Sequence, residues 1–163
     1  MKKSFLVLSL LLVSFGFSKA TFAHCEVPCG IFHDELRVEL IKEHIQTIEK
    51  AMNQITELQS AETINYNQLV RWINTKEHHA NLIHEVAEQY FLTQRVKIAE
   101  PSDEEKYQKY VTQLTTLHEL IVYAMKAKQT TDLENVEKMR ASLTAFEDSY
   151  FGEHRHTLDG EHK

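Results

Sequence analysis

Glycine is nearly missing from this 163-residue chain: four copies stand at Gly16, Gly30, Gly152 and Gly160, and none lies between Ile31 and Phe151. Proline is rarer still, with only Pro28 and Pro101. A β-sandwich or barrel needs frequent turns built on these two residue types, so the long glycine-free stretch excludes one. Cysteine is equally scarce, and both copies, Cys25 and Cys29, fall within HCEVPCGIF at 24–32. No framework of several disulfides can hold the fold together. Positive charge is in deficit, with 18 Lys and Arg against 24 Asp and Glu and a formal net charge of −6. An acidic chain is a poor partner for nucleic acid or for an anionic membrane surface.

What is present begins with a leader. Lys2 and Lys3 supply a positive start, Phe5–Phe17 is a 13-residue apolar run, and Thr21-Phe22-Ala23 sets small residues at −3 and −1 of a cut before His24. The run is shorter than a bilayer-spanning helix needs, and no second apolar segment follows it. We therefore expect residues 1–23 to be a cleaved secretory signal peptide. An uncleaved anchor and a cut after Ala20 are the alternatives. The expected address is periplasmic or extracellular, with no stable membrane insertion after cleavage. Removal of residues 1–23 takes away three lysines and no acid, leaving 140 residues, 15 basic against 24 acidic side chains, and a formal charge of −9. That length suffices for one core.

Helical periodicity fills the glycine-free stretch. Ile41, Ile45, Ile48, Met52 and Ile55 step by 4-3-4-3, and Val136, Met139, Leu143, Phe146 and Tyr150 by 3-4-3-4. Val70, Ile73, Ala80, Ile83, Ala87 and Tyr90 keep a looser rhythm, and Tyr107, Val111, Leu114, Leu117, Ile121 and Met125 form a further stripe. Ser102 with Glu105 and Thr131 with Glu134 read as capping boxes. The spacing predicts helices near 34–58, 62–97, 102–128 and 131–150. Short connections make neighbours antiparallel, which gives an all-α, up-down four-helix bundle at 34–151. Residues 24–33 form a separate N-terminal segment, and 152–163 a polar, histidine-containing tail.

A cut before His24 changes what that segment can do. The free α-amine and the imidazole then sit on one residue, beside the Cys25 amide nitrogen and the Cys25 and Cys29 thiolates. Amine, amide and two thiolates can share a plane around a metal, with the imidazole approaching from above. Such an N/S set suits Ni(II) or Cu(II) better than zinc, which prefers a tetrahedron. Pro28-Cys29-Gly30 favours a reversal that returns Cys29 toward Cys25. The same two cysteines in an exported chain also fit a plain disulfide.

The segment resembles the nickel hook of the nickel-containing superoxide dismutases, whose mature chains begin His-Cys-x-x-Pro-Cys-Gly-x-Tyr. His24, Cys25, Pro28, Cys29 and Gly30 match that pattern. Arg37-Val38-Glu39, Lys76-Glu77-His78-His79-Ala80, Tyr90-Phe91 and Leu117-His118-Glu119-Leu120 resemble further stretches of the family. The resemblance implies a small four-helix bundle, a homohexamer with hooks near subunit contacts, and superoxide as substrate. It implies dismutation to oxygen and hydrogen peroxide through a Ni(II)/Ni(III) cycle, with His24, Cys25 and Cys29 as metal ligands and catalytic residues. Glu39 would hold the His24 imidazole. His79, where the family often has an arginine, would complete that relay, from its own or a neighbouring subunit. Glu26 and Phe32 would border the substrate pocket; Glu26 stands where aspartate is common. The family tyrosine is Phe32 here, so one pocket hydroxyl is missing.

Two rival readings stand beside this one. One is a non-enzymatic nickel- or copper-binding exported protein of the same fold, motivated by Phe32 and by His154, His156 and His162 in the tail. The other is a structural bundle with a Cys25–Cys29 disulfide. Elsewhere, His118 reads as a structural core histidine, and Met52, Met125 and Met139 as core. Superoxide is an anion, so an acidic enzyme needs positive charge gathered near its hook.

Overall fold

The computed structural model describes residues 26–28 and 30–152. The expected leader, His24, Cys25, Cys29 and the tail beyond Gly152 lie outside the described residues. Among the described residues four helices make the fold. α1 spans Asp34–Gln59 and α2 spans Tyr66–Glu85, running straight into a π-helical stretch at Val86–Arg95. α3 spans Glu104–Gln129 and α4 spans Glu134–Phe151. α1 packs along α2 and α3 along α4, and the two hairpins close through α2 on α3 and α1 on α4. Among the described residues there is no strand, and no helix is long and apolar enough to cross a membrane.

The core follows the apolar stripes. Ile41, Ile45, Ile48, Met52 and Ile55 of α1 are buried, as are Val136, Met139, Leu143 and Phe146 of α4. All of these but Ile55 meet Ala80, Ile83, Phe91, Leu117, Leu120 and Ala124 in one cluster. Each large side chain so buried stabilises the fold by roughly 1.5–3 kcal/mol. Val70, Ile73 and Met125 depart from expectation, being 53%, 37% and 38% exposed. A periodic stripe marks an apolar face but not whether the chain itself covers it. His118 is exposed rather than buried, between the buried Leu117 and Leu120.

The helix starts also differ from the expected capping boxes. α3 begins one residue later, with Asp103 Oδ1 accepting from Lys106 N at 3.2 Å. At α4, Asp132 Oδ1 accepts from Glu134 N at 2.9 Å, just before the uncapped Leu133. In both cases a neighbouring aspartate displaces the hydroxyl, because its charge also favours the positive end of the helix dipole. The other end of α3 is closed from outside. The buried Lys76 ammonium donates to the carbonyls of Ala127 at 2.6 Å, Lys128, and Thr130 at 3.4 Å. These carbonyls have no partner in their own helix.

Candidate metal centre

The expected metal segment joins the bundle through Gly30–His33. Gly30 has a φ of 82°, in the left-handed region where a side chain is strained, and the Val27–Pro28 peptide is cis. Phe32 then folds onto the π-helical stretch. Its ring meets Tyr90 edge-on, with centroids 5.8 Å apart, and the Arg95 guanidinium carbon lies 4.2 Å from its centroid. The backbone N–H of His33 donates to Tyr90 Oη at 2.9 Å, and Gln94 Nε2 donates to the carbonyl of Val27 at 3.4 Å. The segment is thus tied on both sides of Cys29 to the π-helical stretch.

Asp34, the first residue of α1, sits at the centre of these ties. Its Oδ1 accepts from Tyr90 Oη at 2.6 Å and Arg95 Nε at 2.8 Å. Its Oδ2 accepts from Arg95 Nη2 at 2.6 Å and Tyr150 Oη at 2.9 Å. Burial pulls the Asp34 carboxyl toward its neutral form, but the bonds from Arg95, Tyr90 and Tyr150 outweigh this, and its pKa falls below the usual value. Burial, together with the carboxylate it binds, pushes the Tyr90 phenol up to about 12. Tyr150 shifts upward for the same reasons. Beyond Tyr150, an open cavity of about 390 Å³ is lined by Arg95, Lys97, Lys106, Lys109 and Tyr150, among others. Two of these cations are already paired, Arg95 with Asp34 and Lys106 with Asp103.

The described chain does not bring the other expected site residues together. Glu39 lies exposed on α1, paired with Lys42 Nζ at 2.8 Å, and Lys42 also reaches Glu147 at 2.8 Å. His79 meets His44 instead, with their Nδ1 atoms 3.1 Å apart. Glu39 and His44 are five residues apart on one helix, a rise of roughly 7.5 Å. Glu26 is partly exposed ahead of Pro28. Among the described residues no three His, Cys, Asp or Glu side chains converge on a point that could hold a metal. The donor chemistry of His24, Cys25 and Cys29 nonetheless fits nickel: two soft thiolates with nitrogen donors within six residues. Asp34, Arg95 and His44 carry no signal of this site in the sequence, and Tyr90 and Tyr150 stand there only as members of helical stripes. Their polar tips were the available signal, since a buried tyrosine hydroxyl normally finds a partner.

The His44–His79 contact carries a pH signature. Burial first, and then the neighbouring imidazoles, hold both rings below the usual histidine pKa, against the opposing effect of Glu43. The unfolded chain therefore binds more protons than the folded one as pH drops below about 6.5. Stability is full above that pH and declines as pH falls toward the folded-state values. Urea unfolding from pH 7.5 to 5.5 will show this decline, and His44→Gln will flatten it. An unchanged slope in that variant rules the pair out as its source.

A family model described as nickel-containing superoxide dismutase matches residues 19–154. Neither the curated proteins nor the solved structures contain a match to this chain.

Proposed function

Since this chain belongs to the nickel-containing superoxide dismutase family, with nickel as its cofactor, we propose that its activity is carried by the first residues of a chain cut before His24. The family match over residues 19–154 is the observation that carries this reading, because it spans both the donor segment and the bundle. The His24 amine and imidazole, the Cys25 amide nitrogen and thiolate, and the Cys29 thiolate would hold the metal. When bound, nickel supplies an electron relay between Ni(II) and Ni(III), so that two superoxide anions and two protons become oxygen and hydrogen peroxide.

The chain's own residues do the rest. The two thiolates and the anionic amide donate electron density that favours the higher oxidation state. Glu39 orients the His24 imidazole, an outer partner of the kind that tunes a ligand. Tyr90 is not a spare acid: its hydroxyl donates to Asp34 while accepting from His33 N. The protons therefore come from solvent or a thiol. Lys97 and Lys109, beside that cavity, draw the anionic substrate toward this end of an otherwise acidic molecule. In this reading the protein is exported and assembles as a homohexamer. The exposed Tyr66, Val70 and Ile73 of α2 offer an apolar face for that assembly, and the partly exposed His79 reaches a neighbour's hook.

The test is direct. The protein exported under its own signal should start at His24, carry one nickel per chain by native mass spectrometry, and dismutate superoxide. Cys25→Ser together with Cys29→Ser should remove both nickel and turnover. A nickel-loaded native protein without dismutation sinks the enzymatic reading.

A further inference from the structure

The Asp34 carboxylate receives four hydrogen bonds, two of them from the Arg95 fork at 2.8 and 2.6 Å. The two side chains are only 14% and 23% exposed. A part-buried pair of this kind depends on both members, because removing one leaves the other charge uncompensated. The cluster joins three elements: the start of α1 through Asp34, the middle and end of the π-helical stretch through Tyr90 and Arg95, and the last turn of α4 through Tyr150. Arg95 also covers Phe32 at 4.2 Å. One guanidinium therefore fixes both the first turn of α1 and the residue two positions before it.

The π-helical stretch explains how this is possible. On an α-helix, residues five apart point about 140° away from each other, and Tyr90 with Arg95 would diverge. Here Val96 N donates to Phe91 O at 2.8 Å, and Thr93 Oγ1 and Gln94 Nε2 donate to carbonyls five residues back at 2.7 and 2.8 Å. The wider turn returns Tyr90 and Arg95 to one side, where both bind the same carboxylate. Such turns recur at functional sites.

We infer that Arg95, Asp34 and Tyr150 form a positioning clamp that fixes the path of residues 30–33 and thereby sets how firmly the hook holds nickel. They are positioning residues, acting through Phe32 and His33 rather than on substrate. The inference rests on the reading of residues 24–29 as the nickel ligands.

The experiment measures nickel release from the nickel-loaded mature protein to excess EDTA, followed by the thiolate–nickel absorption band. Arg95→Gln should release nickel several-fold faster, up to about the 10-fold lower bound seen when a direct partner of a metal ligand is lost. Tyr150→Phe keeps its ring against Phe91 and Phe146 and removes one bond to Asp34, so it serves if Arg95→Gln does not fold, and it should shift release in the same direction. Arg140→Gln is the control. It breaks another cross-helix ion pair, to Glu49 at 2.7 Å, and should lower stability while leaving nickel release at the native rate. The clamp is overturned if Arg95→Gln and Tyr150→Phe release nickel at the native rate, or if Arg140→Gln speeds release as much. If replacing Cys25 and Cys29 by serine leaves nickel binding intact, the hook reading itself falls, and the clamp with it.

Discussion

One alanine added before His24 in the mature protein abolishes dismutation and leaves the bundle folded. The insertion converts the α-amine of His24 into a peptide nitrogen. On the proposed ligand set, five donors become four, while the imidazole and both thiolates keep their identities. Replacing an outer partner of a metal ligand already costs about 10–100-fold in affinity or activity, so losing a direct ligand should bring turnover below about one-hundredth of the native value. The fold should not notice. α1 begins at Asp34, and the fully buried core begins at Val38, both well after the insertion. Far-UV circular dichroism and the unfolding midpoint of the metal-free protein should therefore match the native chain. Full activity in the extended protein removes the amine from the ligand set and with it the need for a cut before His24.

The same separation explains what the sequence made legible. Donor chemistry is a property of six consecutive residues and needs no fold to be seen. The four helices were legible for a related reason: the 4-3-4-3 spacing of Ile41, Ile45, Ile48, Met52 and Ile55 is local, and all five are buried. What could not be read depends on distance along the chain. Asp34 looks like any acid at a helix start, and only folding brings Tyr90, Arg95 and Tyr150 to it, from 56, 61 and 116 residues away. The π-helical turns leave no apolar signature, since they change which way Arg95 points without changing which residues are apolar. Caps were misread for the opposite reason. Ser102 and Asp103 are adjacent and both competent, and the choice between them rests on energies of about 1 kcal/mol that a pattern does not resolve. His79 shows a third limit. Its contact with His44 crosses from α2 to α1, so neither stretch read alone announces it.

Phe91→Ala should produce the largest loss of stability, about 3–5 kcal/mol. Phe91 is fully buried and stands at the centre of an aromatic group, with ring centroids 5.0 Å from Tyr90, 4.9 Å from Phe146 and 5.6 Å from Tyr150. Truncation leaves a cavity that rings held edge-to-face by the π-helical stretch and α4 cannot collapse to fill. The unfolding midpoint should drop by on the order of 10–20 °C. Phe91→Leu keeps most of the volume and should cost less than about 1.5 kcal/mol. The consequence reaches the metal end of the molecule, because Phe91 supports the ring of Tyr150 and so holds its hydroxyl on Asp34. Phe91→Ala should therefore hasten nickel release as well as lower the midpoint, whereas an equally costly core truncation at Ile48, about four helical turns along α1 from Asp34, should lower the midpoint alone. Calorimetry paired with nickel release in the two variants separates these effects. A stability loss of less than about 1 kcal/mol for Phe91→Ala would place the ring outside the core. Equal release rates in both variants would break the link from the aromatic core to the hook.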